Sequence, residues 1–269
     1  MTTKKEAEVL PAENSTAIAK LSTDTAMTVP DYLKDMGGDD AMRHLTQDDV
    51  LMPRIALAQK MSYELDPEHQ RFVADLKLGD LFNSVTQQIY GAGPLDFVML
   101  RADPPRWVEF IPREQGGGVK DPNVPAGDER TLWRTNSETG ESIKPAATKF
   151  YDFIVWLPST EEIVALSFKS TGIRTARMLN SLYTQRKIKY GNRPLCAGIY
   201  TVKSDNAENK HGKFKIYAVA NNGWIGDAAT FNKMKEMQDA LATKIVTIDR
   251  DSVEHPDEAG DASFDTKGM

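Results

Sequence analysis

Residues Lys149–Tyr190 read KFYDFIVWLPSTEEIVALSFKSTGIRTARMLNSLYTQRKIKY. Two apolar runs, Lys149–Leu157 and Glu162–Ser170, flank the turn-forming Pro158-Ser159-Thr160-Glu161, which predicts a β-hairpin. The apolar spacing then changes from strand to helix. Ile173, Ala176, Leu179, Leu182 and Tyr183 predict a helix over Thr171–Lys189, with Thr171 as its cap and Tyr190-Gly191-Asn192 as its stop. Further along, Leu195–Lys203 and Lys213–Ala220 predict a second hairpin around the polar loop Ser204–Gly212, and Phe231, Met234, Met237 and Leu241 a second helix over Asp227–Ala242. Upstream, Leu95–Ile111 reads as one long strand bent at Pro104-Pro105, because proline removes a ladder donor. Residues 113–148, with Gly116-Gly117-Gly118, read as a long loop. Short strands are expected within Gly79–Tyr90, and Val50–Ser62, with Leu51, Ile55, Leu57 and Met61, as an arm packed on the core.

From Leu95 onward the order is strand, strand, strand, helix, strand, strand. This predicts a mainly β fold with helices: an OB-like five-stranded Greek-key barrel with extra N-terminal strands, a helix between strands three and four, and a C-terminal helix. The competing architecture is an α+β antiparallel sheet with helices on one face. Residues 1–50 are expected to be an acidic, largely disordered arm, 51–248 a single domain, and 249–269 a disordered acidic tail.

Charge is divided along the same lines. The 269 residues carry 33 Lys and Arg against 39 Asp and Glu, a net charge of −6. Residues 1–50 hold five bases and ten acids, and 249–269 hold two bases and seven acids, so each end is −5 and the centre is +4. Ile163–Ser204, 42 residues long, contains no acid and eight bases: Lys169, Arg174, Arg177, Arg186, Lys187, Lys189, Arg193 and Lys203. Phe168, Tyr183, Tyr190 and Tyr200 are interleaved with them. A local positive field attracts phosphates, and aromatics beside it can stack on bases. The bland alternative is a solvated basic helix beside a hairpin.

Strand alternation extends the basic set. In Lys213–Val219, Phe214, Ile216 and Ala218 are expected to face the core, and Lys213, Lys215, Tyr217 and Val219 the opposite side. Val164, Leu166 and Phe168 share a face, with Lys169 opposite. Arg174 and Arg177 are helix neighbours at i, i+3. Cations drawn from separate elements are what a groove tracking a phosphate backbone requires. Trp107, Trp133, Trp156 and Trp224 are the potential stacking groups. Trp107, beside Arg106, and Trp133, near Arg130 and Arg134, are the best exposed candidates, while a Trp in a strand is more often core.

Enzyme chemistry finds little support. His44, His69, His211 and His255 lie far apart with no metal-ligand spacing. No phosphate-loop, nucleophile-elbow or zinc-protease motif is present. Ser167 stands where a metal-dependent nuclease would carry an acid two residues before Lys169. No catalytic residue, cofactor or metal is therefore expected. Cys196 is the only cysteine, which excludes an intrachain disulfide and suggests a buried thiol. The first residues carry no apolar signal segment, and no run approaches membrane-span length, so a soluble, cytoplasmic protein is expected.

A basic OB-like body over Gly79–Ala220 with an acidic C-terminal tail over Asp249–Met269 resembles the single-stranded DNA-binding proteins, particularly the divergent ones of bacteriophages. The resemblance implies a sequence-tolerant, non-enzymatic role in replication or recombination. It implies a groove lined by Trp107, Tyr151, Trp156, Lys169, Arg174, Arg177, Lys213, Lys215 and Tyr217. It also implies single-stranded DNA as partner, with RNA as the variant, and a tail (Asp257, Glu258, Asp261, Phe264, Asp265) that recruits replication or recombination proteins or occupies the groove itself. A homodimer is compatible with it and a membrane is not. Tails of that family end in an aromatic, whereas this one continues past Phe264 to Lys267-Gly268-Met269. The rival class is an assembly protein whose basic patch meets an acidic partner.

Overall fold

The computed structural model describes residues 51–250 apart from 113, 114, 116, 210, 211 and 245. The acidic arm over 1–50 and the tail residues Asp257, Glu258, Asp261, Phe264 and Asp265 lie outside the described residues. In chain order the strands are β1 (Leu51–Met52), β2 (Ile55–Leu57), β3 (Leu81–Asn83), β4 (Ile89–Gly91), β5 (Leu95–Ala102), β6 (Arg106–Phe110), β7 (Val119–Val124), β8 (Arg134–Thr135), β9 (Ser142–Ile143), β10 (Ala147–Leu157) and β11 (Glu162–Lys169). After helix α1 (Ile173–Tyr190) come β12 (Gly198–Asn209), β13 (Gly212–Trp224), helix α2 (Ala228–Leu241) and β14 (Thr247–Ile248).

β5 and β6 lie end to end along one edge of β10. Ala102 and Val98 pair with Phe153 and Trp156, and Arg106 and Glu109 with Phe150 and Ala147. Pro104-Pro105 fall in the gap, so the pair is the single proline-bent strand that the sequence predicts. β11 takes the other edge of β10, β12 the other edge of β5, β13 the far side of β12, and β7 the far side of β6. The spatial order is β13, β12, β5/β6, β10, β11. Three consecutive long strands are followed by a fourth that returns through α1 to lie beside the first, which is a Greek key.

The fold is thus mainly β with two α-helices among the described residues, one between the third and fourth long strands and one after the fifth. The expected barrel does not close: β11 and β13 are not paired, and the large sheet is open and antiparallel. The arm over 53–59 stands in the gap. Ala165 N donates to Pro53 O at 2.8 Å, Tyr217 Oη to Ile55 O at 3.1 Å, and the Gln59 carboxamide bonds both backbone groups of Lys215 at 2.8 and 3.2 Å. Satisfying two strand edges with one short segment removes the need for them to pair with each other.

Both faces of β10 are covered, and this decides the fate of several side chains. Phe153, Val155 and Leu157 join a core with Phe97, Met99, Leu166, Phe168, Tyr200 and Val219 under α1 residues Ala176 and Leu179. Ile154 and Trp156 face the other way, against Val98, Leu100, Cys196 and α2 residues Met234 and Leu241. Each large apolar side chain buried in this way is worth about 1.5–3 kcal/mol. β2, β3 and β4 form a small antiparallel sheet beside this body.

α1 begins two residues later than its sequence suggests. Ser170–Gly172 form a 3-10 turn, and Gly172 rather than Thr171 occupies the cap position. Gly172 folds against Phe168, where even a Cβ would sit 3.5 Å from that ring's Cδ1. Gly191, at φ 79°, ends the helix in a conformation that glycine tolerates. The second hairpin is longer than predicted: Ser204–Asn209 are strand, not loop, because this overhang is solvated and accepts Asp205, Asn206 and Glu208. Residues 113–148 are likewise not one loop. They hold β7, a 3-10 turn at Glu129–Thr131 and the β8–β9 hairpin. After α2, β14 pairs in parallel with β1, and Asp249 N donates to Met52 O at 3.0 Å.

Candidate nucleic-acid interface

α1 runs alongside β13. The Thr175 hydroxyl donates to Tyr217 O at 2.8 Å near its start, and Arg186 Nη2 donates to Ile199 O at 3.1 Å and to Gly223 O near its end. Thr175, Ala176, Leu179 and Arg186 form the buried stripe. The opposite face carries Arg174, Arg177, Ser181, Thr184 and Gln185, all exposed, with Met178 and Ile188 exposed among them. Lys187, Lys189, Arg193, Lys203 and Lys213 are exposed as well. Among the described residues none of these cations, nor the half-buried Lys215, forms a salt bridge.

An aromatic cluster closes the C-terminal end of α1. Tyr190 and Trp224 meet edge-on at 5.5 Å and are 45% and 41% exposed. The Arg186 guanidinium lies 4.5 Å from the Tyr200 ring and 4.6 Å from the Trp224 ring. A Cβ on Gly198 would come within 1.8 Å of Arg186 Nη1, so the guanidinium needs glycine there. Lys189 Nζ stands 5.0 Å from the Tyr190 ring. Exposed aromatics among cations are the arrangement that single-strand binding surfaces use. Trp224 follows Asn221-Asn222-Gly223, a polar strand end, and that was the sequence signal for its exposure.

A second aromatic–cation cluster lies at the other end of α1. Lys149 Nζ stands 5.7 Å from the Trp107 ring and 5.4 Å from the Tyr151 ring. Lys149 is paired with Trp107, and Tyr151 with Phe168, two residues before the turn into α1. Trp107 and Tyr151 are half-buried.

Other expected site residues serve the fold instead. Trp156, 6% exposed, is core, because α2 covers that face of the sheet. Arg186, 8% exposed, is held between two rings and two carbonyls and is not a surface phosphate ligand. The predicted facing of β13 is inverted: Val219 and Tyr217 belong to the core side, with Tyr217 edge-on to Phe168 at 5.5 Å, while Phe214, Ile216 and Ala218 are half-exposed. Tyr217 is therefore no stacking platform. Lys215 faces the same side, where a Cβ on Gly79 would meet its Cε at 2.9 Å. Lys169 sits on the opposite face of the sheet from Phe168, paired with Phe150. Trp133 is 56% exposed just before β8, away from the α1 clusters in sequence.

Around β6 the cations are neutralised. Arg130 contacts Glu109 at 2.7 Å, Asp121 at 3.0 Å and Asp128 at 2.9 Å, and Lys120 contacts Glu109 at 2.6 Å. Hydrogen bonds from Lys120 and then Arg130 hold the Glu109 carboxyl below its usual range, and those from Arg130 bring Asp128 to about 2. Asp152, with a fully buried side chain, accepts from Ser167 Oγ at 2.7 Å and from Arg250 Nη2 at 2.6 Å, with Arg250 lying 4.4 Å over Phe150. Burial raises the pKa of the Cys196 thiol, which suits an inert side chain.

Among the described residues no group of three or more His, Cys, Asp or Glu is placed to hold a metal ion, and no helix is long and apolar enough to cross a membrane. No curated protein and no solved structure matches the chain. A family model does: that of the Pam3 phage gp34-like protein, over residues 22–247. This match takes in most of the chain, including the whole of the sheet, both helices and the cationic face, and on it the protein belongs to the Pam3 phage gp34-like family.

Proposed function

We propose that this protein binds single-stranded nucleic acid without sequence preference, as a non-enzymatic component of phage DNA replication or recombination in the host cytoplasm. The observation that carries the reading is the exposed, carboxylate-free face of α1, whose cations have no acidic partner in the described chain although acids outnumber bases overall. Phosphates would supply those partners, and release of their counterions would make affinity fall with salt. The Greek-key order, with its helix between the third and fourth long strands, is compatible with an OB-derived scaffold. The acidic residues after Arg250 would recruit basic partner enzymes or compete for the same face.

The test is a fluorescence-anisotropy titration of labelled oligo-dT against the full chain, Arg174→Glu/Arg177→Glu, and a version ending at Arg250. Retaining Arg250 keeps Asp152 neutralised. Salt-sensitive binding that weakens in the double variant supports the reading, and its absence in the full and shortened chains defeats it. A second reading rests on Met178 and Ile188, 50% and 79% exposed beside the arginines: an acidic, partly apolar protein partner. It predicts that the double variant loses that partner while oligo-dT never binds.

A further inference from the structure

The two aromatic–cation clusters stand at opposite ends of α1, and the helix face between them carries no acid. We infer that a single strand lies along α1 and is anchored at both ends, one base near Trp107 and Tyr151 and another near Tyr190 and Trp224, with phosphates held by Arg174 and Arg177 between. The inference rests on the nucleic-acid reading above and adds the path and length of the bound segment.

Connectivity fixes the first anchor. Tyr151 pairs with Phe168, and the chain turns through Ser170–Gly172 straight into α1. Tyr151 packs on the edge of the same core that receives Ala176 and Leu179, so its cluster and α1 share one side of the sheet. The second anchor is fixed by Tyr190 as the last helical residue and by the bond from Arg186 to Gly223 O, next to Trp224. α1 has 18 residues. At a rise of 1.5 Å per residue it spans about 27 Å. A stacked strand places one phosphate every ~3.4 Å, so about eight nucleotides span the anchors, and fewer if the strand is extended. Neither cluster alone accounts for the cationic face between them, and a protein partner would not require aromatics spaced by a helix length.

The experiment is a length series of labelled oligo-dT, 3 to 12 nucleotides, titrated at low salt against the full chain, Trp107→Ala, Trp224→Ala and the double variant. Wild-type affinity should climb steeply to about eight nucleotides and then level off. Each single substitution should weaken the 12-mer roughly tenfold. The same substitutions should weaken the trimer no more than about twofold, because the other anchor still serves it, and only the double variant should lose the trimer. Tyr190→Ala, at an exposed helix end, repeats the test should Trp224→Ala fail to fold, and Trp224→Phe should retain most of the binding. Equal losses for trimer and 12-mer from one tryptophan, with none from the other, would mean a single stacking site and overturn the path. Loss of binding in Arg174→Glu/Arg177→Glu, with both tryptophans indifferent at every length, would leave the nucleic-acid reading standing and remove the anchors. No binding of any oligonucleotide by the wild type would end both.

Discussion

Beside β6 and in the Asp103–Arg106 stretch, arginines are closed in by carboxylates, whereas along α1 the exposed ones meet none. Arg130 touches Glu109, Asp121 and Asp128, and Arg106 lies between Asp103 and Asp152. Arg174 and Arg177 are exposed with no acid within salt-bridge distance among the described residues. The two regions flank one large sheet and differ in what their cations do. The paired cations fasten chain: Arg130 holds the 125–133 segment to β6 and β7, and Arg250, on Asp152, holds the segment after β14 to β10. The unpaired set fastens nothing in the described chain. Since an exposed ion pair contributes only about 0–1 kcal/mol, leaving these cations bare costs the fold little and keeps a field available for an anionic ligand.

The comparison can be broken most forcefully at Asp152. Arg250→Ala leaves a carboxylate with no exposed surface to face the interior without its main partner. We expect a stability loss of about 3–5 kcal/mol, read as the urea midpoint, with oligo-dT affinity per folded molecule unchanged. Arg186 sharpens the comparison, because its neighbours in sequence belong to the bare set but its environment does not. Arg186→Ala or Gly198→Ala should cost roughly 1–3 kcal/mol, seen as a lower melting temperature. The bare set should behave oppositely. Arg174→Glu/Arg177→Glu should shift stability by no more than about 0.5 kcal/mol and weaken oligo-dT binding at least ~10-fold.

The smallest effect is in acid. The folded pKa of Glu109 lies below its unfolded value of about 4.3. Its contribution is therefore present above that pH and is lost as pH falls through the folded value. The emission of Trp133, isolated as the difference from Trp133→Phe, should report loosening of the 119–135 region below about pH 4. A signal flat to pH 2 would mean that Glu109 does not hold that segment.

Much of the fold was legible in the sequence, and the failures have physical causes. The hairpin at 149–169, both helices and the proline-bent first strand were readable because turn residues and period changes bound them. The facing of β13 was not. Phe214, Ile216 and Ala218 alternate with Tyr217 and Val219, so both faces look apolar, and only the overhang of the hairpin leaves the first set half-exposed. Trp156 was misread as a platform because alternation cannot show that α2 covers the outer face as α1 covers the inner. Arg186 did carry a signal: it continues the stripe of buried Ala176 and Leu179 and half-buried Tyr183 at helical spacing. That the barrel stays open was not legible, since it depends on a seven-residue arm at 53–59 whose apolar residues fit a strand edge as well as a core. Of the site, the cationic helix was visible as a stretch without acids. The pairing of Tyr190 with Trp224, 34 positions apart, required the β12–β13 register.

The most direct test of the central claim is the salt dependence of oligo-dT affinity for the wild type, Arg174→Gln/Arg177→Gln and Arg130→Gln. Each phosphate contact on a single strand contributes about 0.7 to the slope of log Kobs against log salt concentration. We predict a clearly negative slope for the wild type, one shallower by about 1.4 for the bare-cation variant, and no change for Arg130→Gln. Equal slopes in all three proteins, or no binding at low salt, would contradict the assignment of the α1 face as the nucleic-acid interface.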